Sequence, residues 1–149
     1  MLKNSLPLWR RNRLDSGRFA PGLLVLLIAG LLTVGAAAEV LAGGTWTTKG
    51  YAVKGTWTIV SEEGKPKLLL DEAFETKNAP DLKLFLSPLA VDELTSRNAM
   101  EGALLIAPLD NPKGAQSYSL PQETNLQAYK AVILHCERYT KLWAAAPLR

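Results

Sequence analysis

Gly44-Thr-Trp-Thr-Thr-Lys-Gly-Tyr-Ala-Val-Lys-Gly-Thr-Trp-Thr-Ile-Val60 decides the fold class. Thr, Trp, Tyr, Val and Ile dominate it, and these side chains fit a pleated, half-buried surface. Gly-Thr-Trp-Thr occurs twice, at Gly44 and at Gly55. Two copies this close together are too short and too few for a solenoid. The stretch predicts two strands. In the second, Trp57 and Ile59 share one face and alternate with Thr56 and Thr58 on the other.

The same pattern continues downstream. Glu62-Glu-Gly-Lys-Pro-Lys67 reads as a turn, and Lys67-Leu-Leu-Leu70 as a short strand. Asp71 to Pro80 is a connection. Asp81-Leu-Lys-Leu-Phe-Leu86 sets Leu82, Leu84 and Leu86 on one face, and Ser87-Pro88 ends it. Val91 to Asn98 predicts a single helical piece. Ala103-Leu-Leu-Ile-Ala107 predicts a buried strand, Asn111-Pro-Lys-Gly114 a turn and Gln116-Ser-Tyr-Ser-Leu120 a further strand. Lys130-Ala-Val-Ile-Leu-His-Cys-Glu137 is the most apolar strand, and Leu142-Trp-Ala-Ala-Ala-Pro147 follows it. Short strands with turn signals between them imply an all-β, antiparallel β-sandwich or barrel-like module. A parallel α/β fold needs helical crossovers that these polar spacers do not supply.

Upstream, Phe19 to Ala38 carry no charge, and Leu23 to Val34 are as apolar as a membrane segment. Arg10, Arg11, Arg13 and Arg18 precede this run, and Gly35-Ala-Ala-Ala38 follows it. That is the layout of an export signal, with Ala36-x-Ala38 and Val40-x-Ala42 as cleavage candidates. Twenty uncharged residues as a helix also reach across a hydrocarbon core of about 30 Å, so an uncleaved anchor is the rival reading. Both place an N-terminal hydrophobic helix within residues 1–42. Both put residues 43–149 on the extracytoplasmic side, periplasm or cell surface, with the arginines inside. The membrane is then a partner through the N-terminal segment.

Of the 17 Lys and Arg and 14 Asp and Glu, the first 38 residues hold five and one, which leaves 12 basic and 13 acidic groups for the rest. The basic balance belongs to the leader, and no nucleic-acid partner is expected. No glycine loop of the phosphate-cradling kind occurs. His135 is the one histidine and has no nucleophile motif to serve, so the chain does not read as a stand-alone enzyme.

With one Cys and one His, a disulfide framework and a Cys/His zinc cluster are excluded, and no metal site is expected. Cys136 in an exported chain is either a free or intermolecular thiol or a buried small hydrophobe. Val132, Leu134 and Cys136 share a face, as a core stripe would. Arg138 is expected on that same face, where a cation favours the thiolate. His135 projects to the opposite face, so the two do not ligate one metal from the same side. It reads as a strand-end ring at the surface, with a lone axial haem ligand as the rival role. No Cys-x-x-Cys-His motif attaches a c-type haem. Trp46, Trp57 and Trp143 with Tyr51, Tyr118, Tyr129 and Tyr139 read as core and edge packing, against a cofactor-cleft alternative.

Lys54-Gly-Thr-Trp-Thr-Ile59, Leu69-Leu-Asp-Glu-Ala-Phe74 and Ala79-Pro-Asp-Leu-Lys-Leu-Phe-Leu-Ser-Pro88 occur in order. Leu109 to Pro121, Tyr129-Lys-Ala-Val-Ile-Leu-His-Cys-Glu-Arg-Tyr139 and Trp143-Ala-Ala-Ala-Pro-Leu148 complete the series. The set resembles the electron-transfer DM-thirteen domain, a small extracytoplasmic β module, over residues 43–148. The resemblance implies a redox or electron-transfer function with a redox protein as partner. It places the family's cysteine at Cys136, as a bare thiol or as the holder of a prosthetic group such as haem, with His135 beside it as a cofactor-binding candidate. Where the family usually has an aromatic residue before that Cys, this chain has His135. The alternative function is a non-catalytic β-sandwich that binds a partner or supports the cell envelope, with Cys136 buried.

Overall fold

The computed structural model describes residues 37–149. Among them run strands β1 Glu39–Thr45, β2 Thr47–Thr48, β3 Thr56–Glu62, β4 Lys65–Leu70 and β5 Leu82–Ser87. β6 Leu104–Pro108, β7 Gln116–Ser119, β8 Ala131–Cys136 and β9 Lys141–Pro147 follow, with a short 3-10 turn at Leu126–Ala128. Two sheets result, one in the order β1-β3-β4-β7 and one in the order β2-β9-β8-β5-β6. Every pairing is antiparallel. The hydrophobic helix expected ahead of this domain lies outside the described residues. Among the described residues, no helix is long and apolar enough to cross a membrane.

Alternation along the strands builds the core. Trp57, Ile59, Leu68 and Leu70 of the first sheet meet Leu82, Leu84, Leu86, Val132, Leu134 and Ala144 of the second. The stripe read from Asp81 to Leu86 is therefore the inner face of β5. β8 is apolar on both faces because both are covered. Its outer side carries Ile133, which packs with Phe85, Leu142 and Ala145 beneath Leu94 and Ala99 of the 88–103 connection. A strand buried on both sides reads as a continuous apolar run, and Ala131 to Cys136 are all buried.

Four local expectations change. The opening stretch splits between the sheets at Trp46: Thr45 pairs with Thr56, whereas Thr47 pairs with Ala145. β1 also begins at Glu39, so Glu39–Ala42 already form strand. The turn expected over Glu62–Lys67 shrinks to Glu63 and Gly64, with φ of 51° and 76°, while Glu62 and Lys65 pair across the hairpin. Positive φ at both central residues matches the strand twist and reverses the chain in two residues. Val91–Asn98 is a series of turns and no helix forms. There Ala90 N donates to Glu93 Oε2 at 2.8 Å, Thr95 N to Asn98 Oδ1 at 2.8 Å, and Asn98 Nδ2 to Glu93 O at 3.0 Å. Side-chain partners of this kind compete with the helical ladder. The strand at Ala103–Ala107 is an edge strand, half-buried, with Leu105 44% exposed.

Candidate functional site

Cys136 ends β8 on the core face, in line with Val132 and Leu134, and is fully buried. Its neighbours across the ladders are Leu82 of β5 and Lys141 of β9. Its Sγ–H donates to the carbonyl of Pro80 at 3.1 Å. Pro80 belongs to the connection that leads into β5. Among the described residues, no backbone N–H of Lys77, Asn78 or Ala79 donates to another backbone group, and Pro80 has none to give. The next residue, Asp81, sits at φ 63°, and its carbonyl accepts from Glu137 N at 3.1 Å. The thiol is thus covered by a segment that backbone hydrogen bonds hold at its two ends, Thr76 N to Pro112 O at 2.8 Å and Glu137 N to Asp81 O at 3.1 Å, with none from the N–H groups between.

The other side of Pro80 faces an open groove of about 520 Å³, shared with Tyr51, Lys77, Tyr139, Lys141 and Trp143. A bulge between β8 and β9 shapes it. Leu134 pairs with Ala144 and His135 with Leu142, which leaves Trp143 as the extra residue. The Trp143 carbonyl accepts from the N–H groups of Lys49, Gly50 and Tyr51 at 2.9, 2.8 and 3.2 Å. This approach needs glycine, since a Cβ on Gly50 would lie 2.6 Å from the Leu142 carbonyl oxygen. The Tyr51 ring consequently rests on Trp143, with centroids 4.5 Å apart, and Lys77 Nζ stands 5.2 Å from the Tyr51 centroid.

His135 projects away from Cys136, as alternation demands, but it is not at the surface. Only 1% of it is exposed, and neither Nδ1 nor Nε2 has a hydrogen-bond partner. The Phe85 ring meets it edge-on at a centroid distance of 6.4 Å. Burial pushes the imidazole pKa below its usual value, against a smaller upward pull from Glu137, so the ring is held neutral. The expectation of a surface ring fails because the outer face of this sheet is covered, and strand sequence alone does not announce a cover. Opposite His135 on β5, the Lys83 ammonium pairs with Glu137 and with Asp81 at 3.0 Å. These hydrogen bonds, Glu137 first, raise the Lys83 pKa. Arg138 does not share the Cys136 face: it lies past the strand end, exposed in the turn over Glu137–Thr140.

The two candidate ligands therefore diverge. Cys136 faces the core and is capped by Pro80, while His135 is enclosed on the far side of the sheet. Neither presents a ligand atom to a cavity, and the residues do not fit a haem. No group of three or more His, Cys, Asp or Glu side chains able to hold a metal occurs among the described residues. The aromatic residues divide. Trp57 and Tyr118 are core, with Tyr118 Oη accepting from Asp110 N at 3.0 Å and donating to Gln116 Oε1 at 2.6 Å. Tyr51, Tyr139 and Trp143 line the groove; the sequence offered a cleft only as the alternative for all seven aromatic residues and did not single these out, because three separate segments build it.

Compared with known proteins, residues 45–148 match the family model described as Electron transfer DM13. No curated protein and no solved structure matches the chain.

Proposed function

The chain belongs to the Electron transfer DM13 family, and from that premise we propose that it is an extracytoplasmic electron-transfer module whose redox group is the Cys136 thiol. One observation carries the reading: Pro80, whose carbonyl accepts from that thiol, also lines an open groove. The chemistry is thiol–disulfide exchange with a partner protein. When the Lys77–Pro80 segment moves, the Cys136 thiolate attacks one sulfur of a partner disulfide. A mixed disulfide forms and the partner's other sulfur leaves as a thiolate. Cys136 is the only cysteine of the chain, so net transfer takes a second partner, a dithiol. One of its thiolates attacks the Cys136 sulfur of the mixed disulfide, and the first partner leaves with both sulfurs reduced. The second partner's other thiolate then closes that partner's disulfide and releases Cys136 as thiolate. The arginines before Leu23 and the small residues after Val34 support placement of this domain outside the cytoplasm.

The test is a native thiol titration with a chromogenic disulfide on the wild-type protein and on Pro80→Gly. The proposal expects one thiol to react without denaturant, and faster in the variant. A thiol that appears only on unfolding in both proteins refutes it. A reporter fused after Arg149 and active only in the cytoplasm refutes the placement.

A second reading is favoured by the complete burial of Cys136 in line with Val132 and Leu134. In it the sulfur is core packing, and the module binds or supports an envelope partner without chemistry. The same titration separates the two.

A further inference from the structure

The groove over Pro80 has a chemistry of its own. Its walls are aromatic and exposed: Tyr51 is 39% and Tyr139 65% accessible, while Trp143 is buried behind Tyr51. Rings offered edge or face to solvent beside a concavity are a stacking surface, not a core. Its charge is positive, and no carboxylate pairs with it within 4.0 Å. Among the described residues, Lys54, Lys67, Lys83, Lys113 and Lys130 each have a carboxylate within 4.0 Å, whereas Lys49, Lys65, Lys77 and Lys141 have none, and the last two of these share the groove. Asp81 and Glu137, which do not line the groove, share Lys83 and keep one negative charge between them, against the two positive charges of Lys77 and Lys141. The volume, about 520 Å³, suits a small organic ligand.

We propose that this groove binds a planar aromatic anion: a fused ring stacked on Tyr51 and Tyr139, with a phosphate, sulfonate or carboxylate held by Lys77 and Lys141. An extended apolar ring gains from Tyr51 and Tyr139 what water would deny it, and the anion is attracted by two ammonium groups that have no competing carboxylate. Lys77 Nζ lies over the Tyr51 ring at 5.2 Å from its centroid, so a ligand ring that stacks on Tyr51 displaces this ammonium from the ring face and leaves it beside the ligand's anion. The role of such a ligand in electron transfer rests on the reading of Cys136 above, but its binding does not.

Riboflavin 5′-phosphate and riboflavin make a suitable probe pair, because they share a ring and differ in charge. Flavin fluorescence reports stacking on an aromatic residue, and titration into the purified protein gives the affinity. The phosphate form is expected to bind saturably, with its emission quenched, about tenfold or more tighter than riboflavin. Lys77→Gln with Lys141→Gln should remove that advantage and leave riboflavin binding in place. Tyr51→Ala should weaken both ligands. Cys136→Ser should change neither. Circular dichroism of each variant confirms that it is folded. Absence of saturable binding, or affinities unaltered by the Tyr51 and lysine substitutions in folded protein, overturns the proposal. Binding that follows this pattern in a protein whose thiol is silent would retain the groove and discard the redox cysteine. A reactive thiol without flavin binding would do the reverse.

Discussion

Replacing His135 by Leu should stabilise the protein and flatten its response to acid. The ring is 1% exposed and neither nitrogen has a partner, so at least one N–H lies buried and unsatisfied. Such a donor costs about 1–3 kcal/mol. Leu has a similar volume and no polar atom, and it extends the apolar face of Phe85, Ile133 and Leu142. His135→Leu should therefore gain about 1–3 kcal/mol at pH 8, less any repacking loss. The acid effect has a definite sign. Desolvation lowers the folded-state pKa below the ordinary imidazole value of about 6.5, so the unfolded chain binds the proton more readily. His135 thus leaves stability intact above about pH 6.5 and removes it as pH falls from there towards the folded pKa, at about 1.4 kcal/mol per unit where only the unfolded state is protonated. Urea denaturation of wild type and variant at pH 8 and at pH 5 measures both effects. The stability difference between the two proteins should be larger at pH 5. A variant less stable at pH 8, or a difference independent of pH, would show that the imidazole is hydrogen-bonded or hydrated and refute the reasoning.

Leu84→Ala removes a fully buried side chain from the centre of β5 and should cost about 2–5 kcal/mol, read as a lower urea midpoint. Gly50→Ala would set a Cβ against the Leu142 carbonyl at 2.6 Å, so it should lower the melting temperature and expose Trp143, seen as a red-shifted tryptophan emission. If the leader is removed on export, N-terminal sequencing should find Glu39 first. Cleavage after Ala42 would instead strip β1 of Glu39, Val40 and Ala42, which pair with Ser61, Val60 and Ile59.

Some of this protein was legible in the order of residues because it depends on geometry that repeats every two residues. Leu82, Leu84 and Leu86 had to share a face, Trp57 and Ile59 had to share another, and Cys136 and His135 had to point apart, whatever their surroundings. The apolar run of β8 likewise announced the most buried strand of the domain. What the pattern could not convey was what did the covering. His135 is buried because residues 88–103, far away in sequence, fold over the outer sheet face through turns held by Glu93 and Asn98 side chains. The opening stretch crosses between sheets at Trp46, a choice made by partners at Thr56 and Ala145. The groove beside Cys136 exists only where Tyr51, Lys77, Pro80, Tyr139 and Trp143 converge. Alternation is a property of the local backbone, whereas burial, pKa and pocket chemistry belong to contacts between distant segments, and those contacts form only once the two sheets have closed on each other.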